Sequence, residues 1–407
     1  MSDEAPSSVR VLRPRRSAPE DIVRPTRAEI SLDALRHNLR SVCTHLAQLS
    51  GLPPKVWPVL KADAYGHGAP AVARTLERAG ADGFCVALAE EGIELREAGI
   101  RAPILVMGGY YGHAYADLAH YRLTPVVYGE NHEEALRLLS LGEAEGEGGA
   151  RLGVHLKVDT GMGRLGVLPA QARGHFERLN ALPNVYVSGL MTHFAEADTP
   201  DLTSMRAQLK AFEATLLDLR ARSAAPVVVH AANSAATWRG LGLYDAVRPG
   251  LAMYGAPSAV GELLLGDAAL RPALRLRTEI VDLRQVQAGG AVGYGGAGRV
   301  TRTSRVATVP IGYADGYVRA HSRAGRMLVR GTFAPVLGVV SMDMCMLDVT
   351  DVPGVSMADE VVVLGTQSGP LGQNSIFMSE FAQSAGQIPW EVMTTLSRRV
   401  PRFYREE

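Results

Sequence analysis

Residues 59–68 read VLKADAYGHG and set a lysine, Lys61, at the end of an apolar run. Burial and neighbouring cations lower the pKa of an amine in such a place, and a lysine in that state can form a Schiff base. Other reactive side chains stand at the ends of later apolar runs. Lys157 and Arg164 fall in LKVDTGMGRLG, His193 in MTHFAEAD, Asn233 and Ser234 in HAANSAA, and Arg248 in AVRPGLAMYG. The set is rich in cations, with no carboxylate pair, no metal-ligand cluster and no Ser-His-Asp arrangement. It suits an anionic ligand and a lysine that acts covalently. Ser234 and the amides around Gly250 and Leu251 could cradle a phosphate. Pyridoxal phosphate needs this combination of amine, phosphate cradle and ring partner.

Each residue alone has a plainer reading. A strand-end lysine is commonly a surface ion-pair partner, and Arg248 could be an ion pair between helices. His193 could be a structural hydrogen-bonding residue. DTGMGRLG lacks the lysine pattern of a phosphate loop. The recurrence of these residues at successive run ends carries the argument.

The elements that must position them follow a rhythm. Eight short apolar runs cover residues 56–60, 83–87, 103–107, 125–128, 152–158, 186–191, 226–230 and 246–253, each gap leaving room for a helix. Apolar strands of this kind fit a parallel sheet covered on both faces. Eight such units are the pattern of a (β/α)8 TIM barrel, whose function gathers at the C-terminal strand ends. A doubly wound open sheet is the alternative, since periodicity does not report closure. Before the first run, Leu35, Leu39, Val42, Leu46 and Leu49 predict an amphipathic helix with Ser31 as N-cap and Gly51 as its stop. Near Ala268 the texture changes to alternating, β-branched runs with Gly-rich turns, which predicts a mainly antiparallel β domain. A last helix is expected over residues 388–398. The expected division is a disordered extension at 1–25, a barrel at 26–265 and a β-rich domain at 266–407. GEAEGEGG, residues 142–149, reads as a surface loop.

The bulk composition agrees. A chain of 407 residues suggests two domains. Its hydrophobic content of 47% and charged content of 21% are ordinary for a globular protein, and a formal net charge of zero gives no pull toward nucleic acid or an anionic membrane. Cys43, Cys85 and Cys345 are widely spaced, which suits a reducing compartment and predicts a cytoplasmic location. No run approaches a membrane span, and the Arg-containing N-terminus lacks the apolar core of a secretory signal.

Read in order, VLKADAYGHG, KVDTGMGRLG, MTHFAEAD, VRPGLAMYG, AVGYGG, VPIGYADGY, SMDMCMLDV and IPWEV resemble the alanine racemase family of fold-type III pyridoxal phosphate enzymes, over nearly all of the chain. The resemblance implies racemisation of L- and D-alanine, supplying D-alanine for peptidoglycan, in a head-to-tail homodimer that shares its active sites. It implies that Lys61 carries the cofactor and is one of two bases. Tyr294, delivered by the partner subunit, matches the other, supported by His193 and Arg248. Two bases on opposite faces let a proton leave one side of a planar carbanion and return on the other. Arg248 matches the partner of the pyridine nitrogen, which it would hold unprotonated. Tyr65, Asn233, Ser234, Gly250, Leu251 and Trp390 match cofactor-holding positions. Arg164 and Met342 match residues that meet the substrate carboxylate, and Tyr313 a tyrosine at the mouth of the site. Lys157 matches a lysine that is carbamylated in many members.

The chain departs from the family at three places. Trp390 stands where tyrosine is usual, and an indole donates but does not accept. Gly293 replaces a common serine and Arg27 a frequent tryptophan. A racemase of wider range, serine included, is the alternative that Trp390 motivates. A non-catalytic pyridoxal phosphate carrier or a decarboxylase of the same fold type are the others.

Overall fold

The computed structural model describes residues 24–110, 115–142, 151–221, 226–256 and 269–406. Most of the extension expected at 1–25, and all but the first residue of the 142–149 loop, lie outside the described residues. Strand β1, Arg27–Ser31, leads directly into helix α1, Leu32–Leu49. Ser31 caps that helix by accepting from the Ala34 amide at 3.1 Å. The helix closes at Ser50, one residue before the expected stop. Leu35, Leu39, Val42 and Leu46 are fully buried. Each such side chain contributes about 1.5–3 kcal/mol by leaving water. Leu49 is exposed. Asn38, on the buried face, donates to Met253 and Arg271 carbonyls at 3.0 and 2.8 Å and so ties α1 to the end of the barrel.

Eight strands follow: β2 (Lys55–Val56), β3 (Phe84–Val86), β4 (Ile104–Val106), β5 (Thr124–Val127), β6 (Leu152–Lys157), β7 (Val185–Met191), β8 (Val228–His230) and β9 (Ala246–Val247). Neighbours run in the order β2-β9-β8-β7-β6-β5-β4-β3, and the pairs are parallel. The two ends of that path meet. Val59, beyond β2, bridges in parallel to Cys85 of β3, with the Leu60 amide donating to Cys85 O at 2.8 Å. The sheet is therefore a closed barrel, and the open doubly wound alternative is excluded. The eighth run is shorter as a strand than its apolar length of 246–253 predicts. Pro249 and Gly250 break it, and Leu251–Tyr254 form a short 3-10 turn instead.

Strand β1, within the segment expected to form the barrel, pairs elsewhere. This strand lies outside the barrel. It runs antiparallel to β10 (Leu274–Glu279) and parallel to Arg402–Arg405, inside the sheet of the second domain. Buried Glu29 faces Arg27, Arg275, Arg277 and Arg405 across this sheet. Burial alone would push its carboxyl up; the hydrogen bond and charge of Arg275, with Arg405 and Arg277, hold it below the ordinary value. The rest of the domain is antiparallel as expected, with Glu360–Gly369 beside β10 and a separate sheet of Asp282–Val286, Ser304–Val309 and Cys345–Asp348. The final helix is confined to Pro389–Thr395, preceded by Met378–Ser384, which the sequence reading missed. Among the described residues no helix is long and apolar enough to cross a membrane.

Candidate active site

Lys61 begins an unusual turn. Ala62, Asp63, Ala64 and Tyr65 all take left-handed backbone angles, with φ of 53, 56, 54 and 51°. For non-glycine residues this costs roughly 1–2 kcal/mol each, so the turn must be held from outside. Glu91 Oε1 accepts from the Ala62 amide at 2.6 Å, while its Oε2 accepts from Ala87 and Leu88 at 2.8 and 3.1 Å. Asp63 accepts from the Ala69 amide at 2.7 Å. Buried His67 places Nδ1 at 3.0 and 2.8 Å from the Ala64 and Tyr65 carbonyls. Arg402, from the far end of the chain, donates to Gly66 O at 2.9 Å. Sequence reasoning missed Glu91 and Arg402. Their partners are backbone groups, which leave no pattern in a sequence.

The Lys61 amine is held below its ordinary pKa, chiefly by burial and then by Arg164, with Glu91 opposing. Lys157 ends β6 with only 4% of its surface exposed. Burial first, then Arg164 and Arg248, push its amine down to about 8. Arg164 sits in a loop folded around Asp159, whose carboxylate accepts from the Gly161, Met162 and Gly163 amides at 2.9, 2.8 and 2.9 Å. Lys61, Lys157 and Arg164 thus converge with His193 at the C-terminal end of the barrel.

Arg248 is buried beneath them. Nη2 donates to the Thr192 and Ala231 carbonyls at 2.9 and 3.0 Å and to His193 Nδ1 at 3.3 Å, and Nη1 donates to His230 Nδ1 at 2.5 Å. Among the described residues its Nε has no hydrogen-bond partner. Burial followed by the charge of Arg248 drives His193 and His230 well below 6.5, so both rings are neutral. A guanidinium only donates, so Nδ1 accepts in both and the proton rides on Nε2. Neither His230 nor the His155 behind it was singled out from the sequence.

A hydroxyl-lined cradle lies beside this network. Ser234 Oγ accepts from the Gly250 and Ala252 amides at 2.9 and 3.3 Å. A Cβ on Gly250 would stand 2.7 Å from the Tyr65 hydroxyl, so only glycine leaves that oxygen room. Leu251 opens the 3-10 turn at the cradle's floor. Asn233 has a different engagement, as its side-chain oxygen caps Ser234–Trp238 by accepting from Ala236 N at 3.0 Å. Trp390 is half-buried in the first turn of Pro389–Thr395. That helix packs on the Lys61 turn through the Met393 carbonyl beside Gly66.

Tyr294, Met342 and Tyr313 of the second domain are exposed. Tyr294 follows Gly293, whose φ of 78° and ψ of −177° are glycine's own territory. It is 75% exposed, with Met342 at 52% and Tyr313 at 42%. The Tyr313 and Ala314 amides donate to Ser341 and Met342 carbonyls at 3.0 Å each, which ties these two loops together. Among the described residues no hydrogen bond or ring contact joins Tyr294 or Tyr313 to the barrel site.

A closed (β/α)8 barrel offering a lysine after its first strand, and followed by an antiparallel β domain, is the architecture of the fold-type III pyridoxal phosphate enzymes. Comparison with known proteins narrows this. The model of the alanine racemase N-terminal domain matches residues 30–258, and that of the C-terminal domain matches residues 273–404. The alanine racemase of Sorangium cellulosum is 53% identical over 390 residues, covering 94% of this chain and all of that protein. The crystal structure of alanine racemase from E. faecalis superposes with a TM-score of 0.84 at 35% identity, covering 94% of this chain and 98% of that one. That of Bartonella henselae with covalently bound pyridoxal phosphate gives 0.81 at 27% identity, covering 94% and 99%. The chain belongs to the alanine racemase family.

Proposed function

We propose that this chain interconverts L- and D-alanine with pyridoxal 5'-phosphate as cofactor, supplying D-alanine for peptidoglycan in the cytoplasm, as a head-to-tail homodimer. The observation that carries the cofactor reading is Arg248. Its hydrogen bonds within the chain all come from the two Nη nitrogens, and among the described residues Nε donates to no group. A ring nitrogen that accepts a hydrogen bond fits it, and the Ser234–Tyr65–Gly250 cradle fits a phosphate. Lys61 would hold the cofactor through Nζ. When bound, pyridoxal phosphate supplies an electron-withdrawing ring that spreads the negative charge left at Cα when its proton departs.

The chain's own residues divide the remaining tasks. Lys61, less basic than free lysine, is suited to take up and return a proton at Cα on one face. Tyr294 of a second copy serves the other face. Its exposure and its glycine-built turn support that reading, since a base for another chain's site must protrude. His193 presents Nε2–H, which can donate to the phenolic oxygen and favour its charged form. Arg248 stays charged and yields no proton, so it limits how far charge moves onto the ring. Arg164 and the Met342 amide bind the substrate carboxylate, with Tyr313 at the mouth.

Lys157, near 8, has a neutral fraction at neutral pH that can attack carbon dioxide. The new N–C bond forms as one N–H proton leaves to solvent; with the proton already shed by the ammonium form, two protons leave in all and a cation becomes a carbamate anion able to hold Arg164.

One observation favours a wider substrate range, the larger Trp390 on the helix that abuts the Lys61 turn. The test is a visible spectrum and a chiral product assay on the purified protein with alanine, serine and lysine in turn. Alanine racemised well ahead of the others is the expected outcome. Serine processed as fast would favour the wider range, and no racemisation of any would overturn the assignment.

A further inference from the structure

The last residues of the chain lie between two functional segments. Arg402 donates from Nη1 to the Ser397 and Val400 carbonyls at 2.6 Å each, and from Nη2 to Leu396 O at 2.7 Å. These bonds wrap residues 396–400 into a bracket around one guanidinium. Its Nε reaches Gly66 O at 2.9 Å, at the close of the left-handed Lys61 turn.

The bracket has a second attachment. The Ser397 amide donates to Asp315 O at 3.0 Å. Gly316 packs so tightly on the bracket that a Cβ there would stand 2.8 Å from Thr395 O. Asp315 is fully buried and its carboxylate is gripped by Arg24 at 2.8 and 3.0 Å, while it accepts from the Gly312 amide at 3.1 Å. Arg399, within the bracket, pairs with Asp343 at 2.7 Å and lies 3.6 Å from Asp315. Both loops so fixed are those that carry Tyr313 and Met342.

We propose that Arg402 is a positioning residue for two active sites at once. Through Gly66 it sets the Lys61 turn of its own chain, and through the 396–400 bracket and Asp315 it sets the loops that serve the partner's site. The second half rests on the reading of a shared dimeric site. One guanidinium thus links the amine end of one site to the substrate-carboxylate end of the other. The four left-handed residues need such an external hold, and the loops it reaches carry the exposed Tyr313 and Met342.

Amide hydrogen exchange on the holoenzyme, wild type against Arg402→Gln, reads the link directly. Exchange should rise at least about tenfold in residues 61–68 and in 312–317 together, with α1 unchanged. Acceleration throughout the molecule, or in only one of the two segments, would overturn the proposal. Arg402→Lys, which keeps charge but loses the planar fork, should show a smaller rise in the same two segments. Kinetics on mixed dimers then separate the two roles. With Lys61→Ala in one chain, the single remaining site draws its lysine from one subunit and its loops from the other. Placing Arg402→Gln in the loop-giving chain should raise KM for alanine roughly tenfold with a smaller change in kcat. An unchanged KM would reduce Arg402 to a local prop of its own turn and sink the two-site claim. A control mixture of Lys61→Ala and Tyr294→Phe chains reports on the dimer reading by itself. If no activity returns there, the shared site fails, while the exchange result still judges the link within the chain.

Discussion

His230 Nε2 and His155 Nδ1 lie 2.7 Å apart, which carries the Arg248 network one ring deeper into the barrel. His155 pairs in register with Gly189, whose missing side chain makes the space: a Cβ there would come 2.5 Å from the imidazole. Since His230 accepts at Nδ1 from Arg248, it donates from Nε2, and His155 must accept. Three histidines, 193, 230 and 155, are thereby locked in one tautomer by a single guanidinium. Nitrogen NMR of the labelled protein should find all three neutral with the proton on Nε2 from pH 8 down to 5. A ring among them that titrates near 6.5 would contradict the network.

Buried histidines also make stability depend on acidity. In the unfolded chain they bind a proton near 6.5, whereas burial drives His155 down to about 3 and His67 to about 4. The unfolded state then holds more protons below pH 6.5, so stability present above that pH is lost as pH falls toward the folded values. Each such histidine should remove about 2 kcal/mol between pH 6.5 and 5. Urea unfolding across this range checks it, and His155→Gln should flatten the slope by about one histidine's share. An unaltered slope would show that His155 takes no part.

Gly66→Ala should be severe. Gly66 has φ +75°, and a Cβ would overlap the Met393 carbonyl. Backbone against backbone cannot yield cheaply, so a loss on the order of 2–4 kcal/mol is expected in thermal unfolding. Ala62→Gly, which relieves a left-handed residue in the same turn, should cost no more than about 0.5 kcal/mol. Equal effects from both would argue against a strained, externally held turn.

Lys157 should take up carbon dioxide. Carbon-13 NMR in labelled bicarbonate is expected to show one protein carbamate signal that Lys157→Arg removes. A signal that persists in the variant, or none in the wild type at neutral pH, would leave Lys157 as a plain buried amine.

Tyr294→Phe should slow solvent-deuterium exchange at Cα of L-alanine by at least about a hundredfold, as expected of a lost general base. Exchange at the wild-type rate would remove Tyr294 from the chemistry.

Much of the fold was legible because its strands are buried on both faces, so Phe84–Val86 or Ile104–Val106 stand out as unbroken apolar runs. Barrel closure was not, since it rests on Val59 meeting Cys85, a contact without periodicity. Strand β1 hid for another reason. Its centre, Ala28–Glu29–Ile30, is entirely buried with the carboxylate included, so it lacks the alternation that marks a half-buried strand. The site was legible where reactive side chains end strands, as with Lys61, Lys157 and Arg248. Its supports were not. Glu91, Arg402 and Asp159 act on amides and carbonyls, whose positions exist only once the chain has folded.

The central claim is that a lysine and a tyrosine from two chains complete one site. Lys61→Ala and Tyr294→Phe chains, each nearly inactive, should be unfolded together, refolded as a mixture and assayed for alanine racemisation. Random pairing makes half the dimers mixed, each with one intact site, so activity should return to about a quarter of the wild-type level. A mixture no more active than the sum of its two parents would contradict the account.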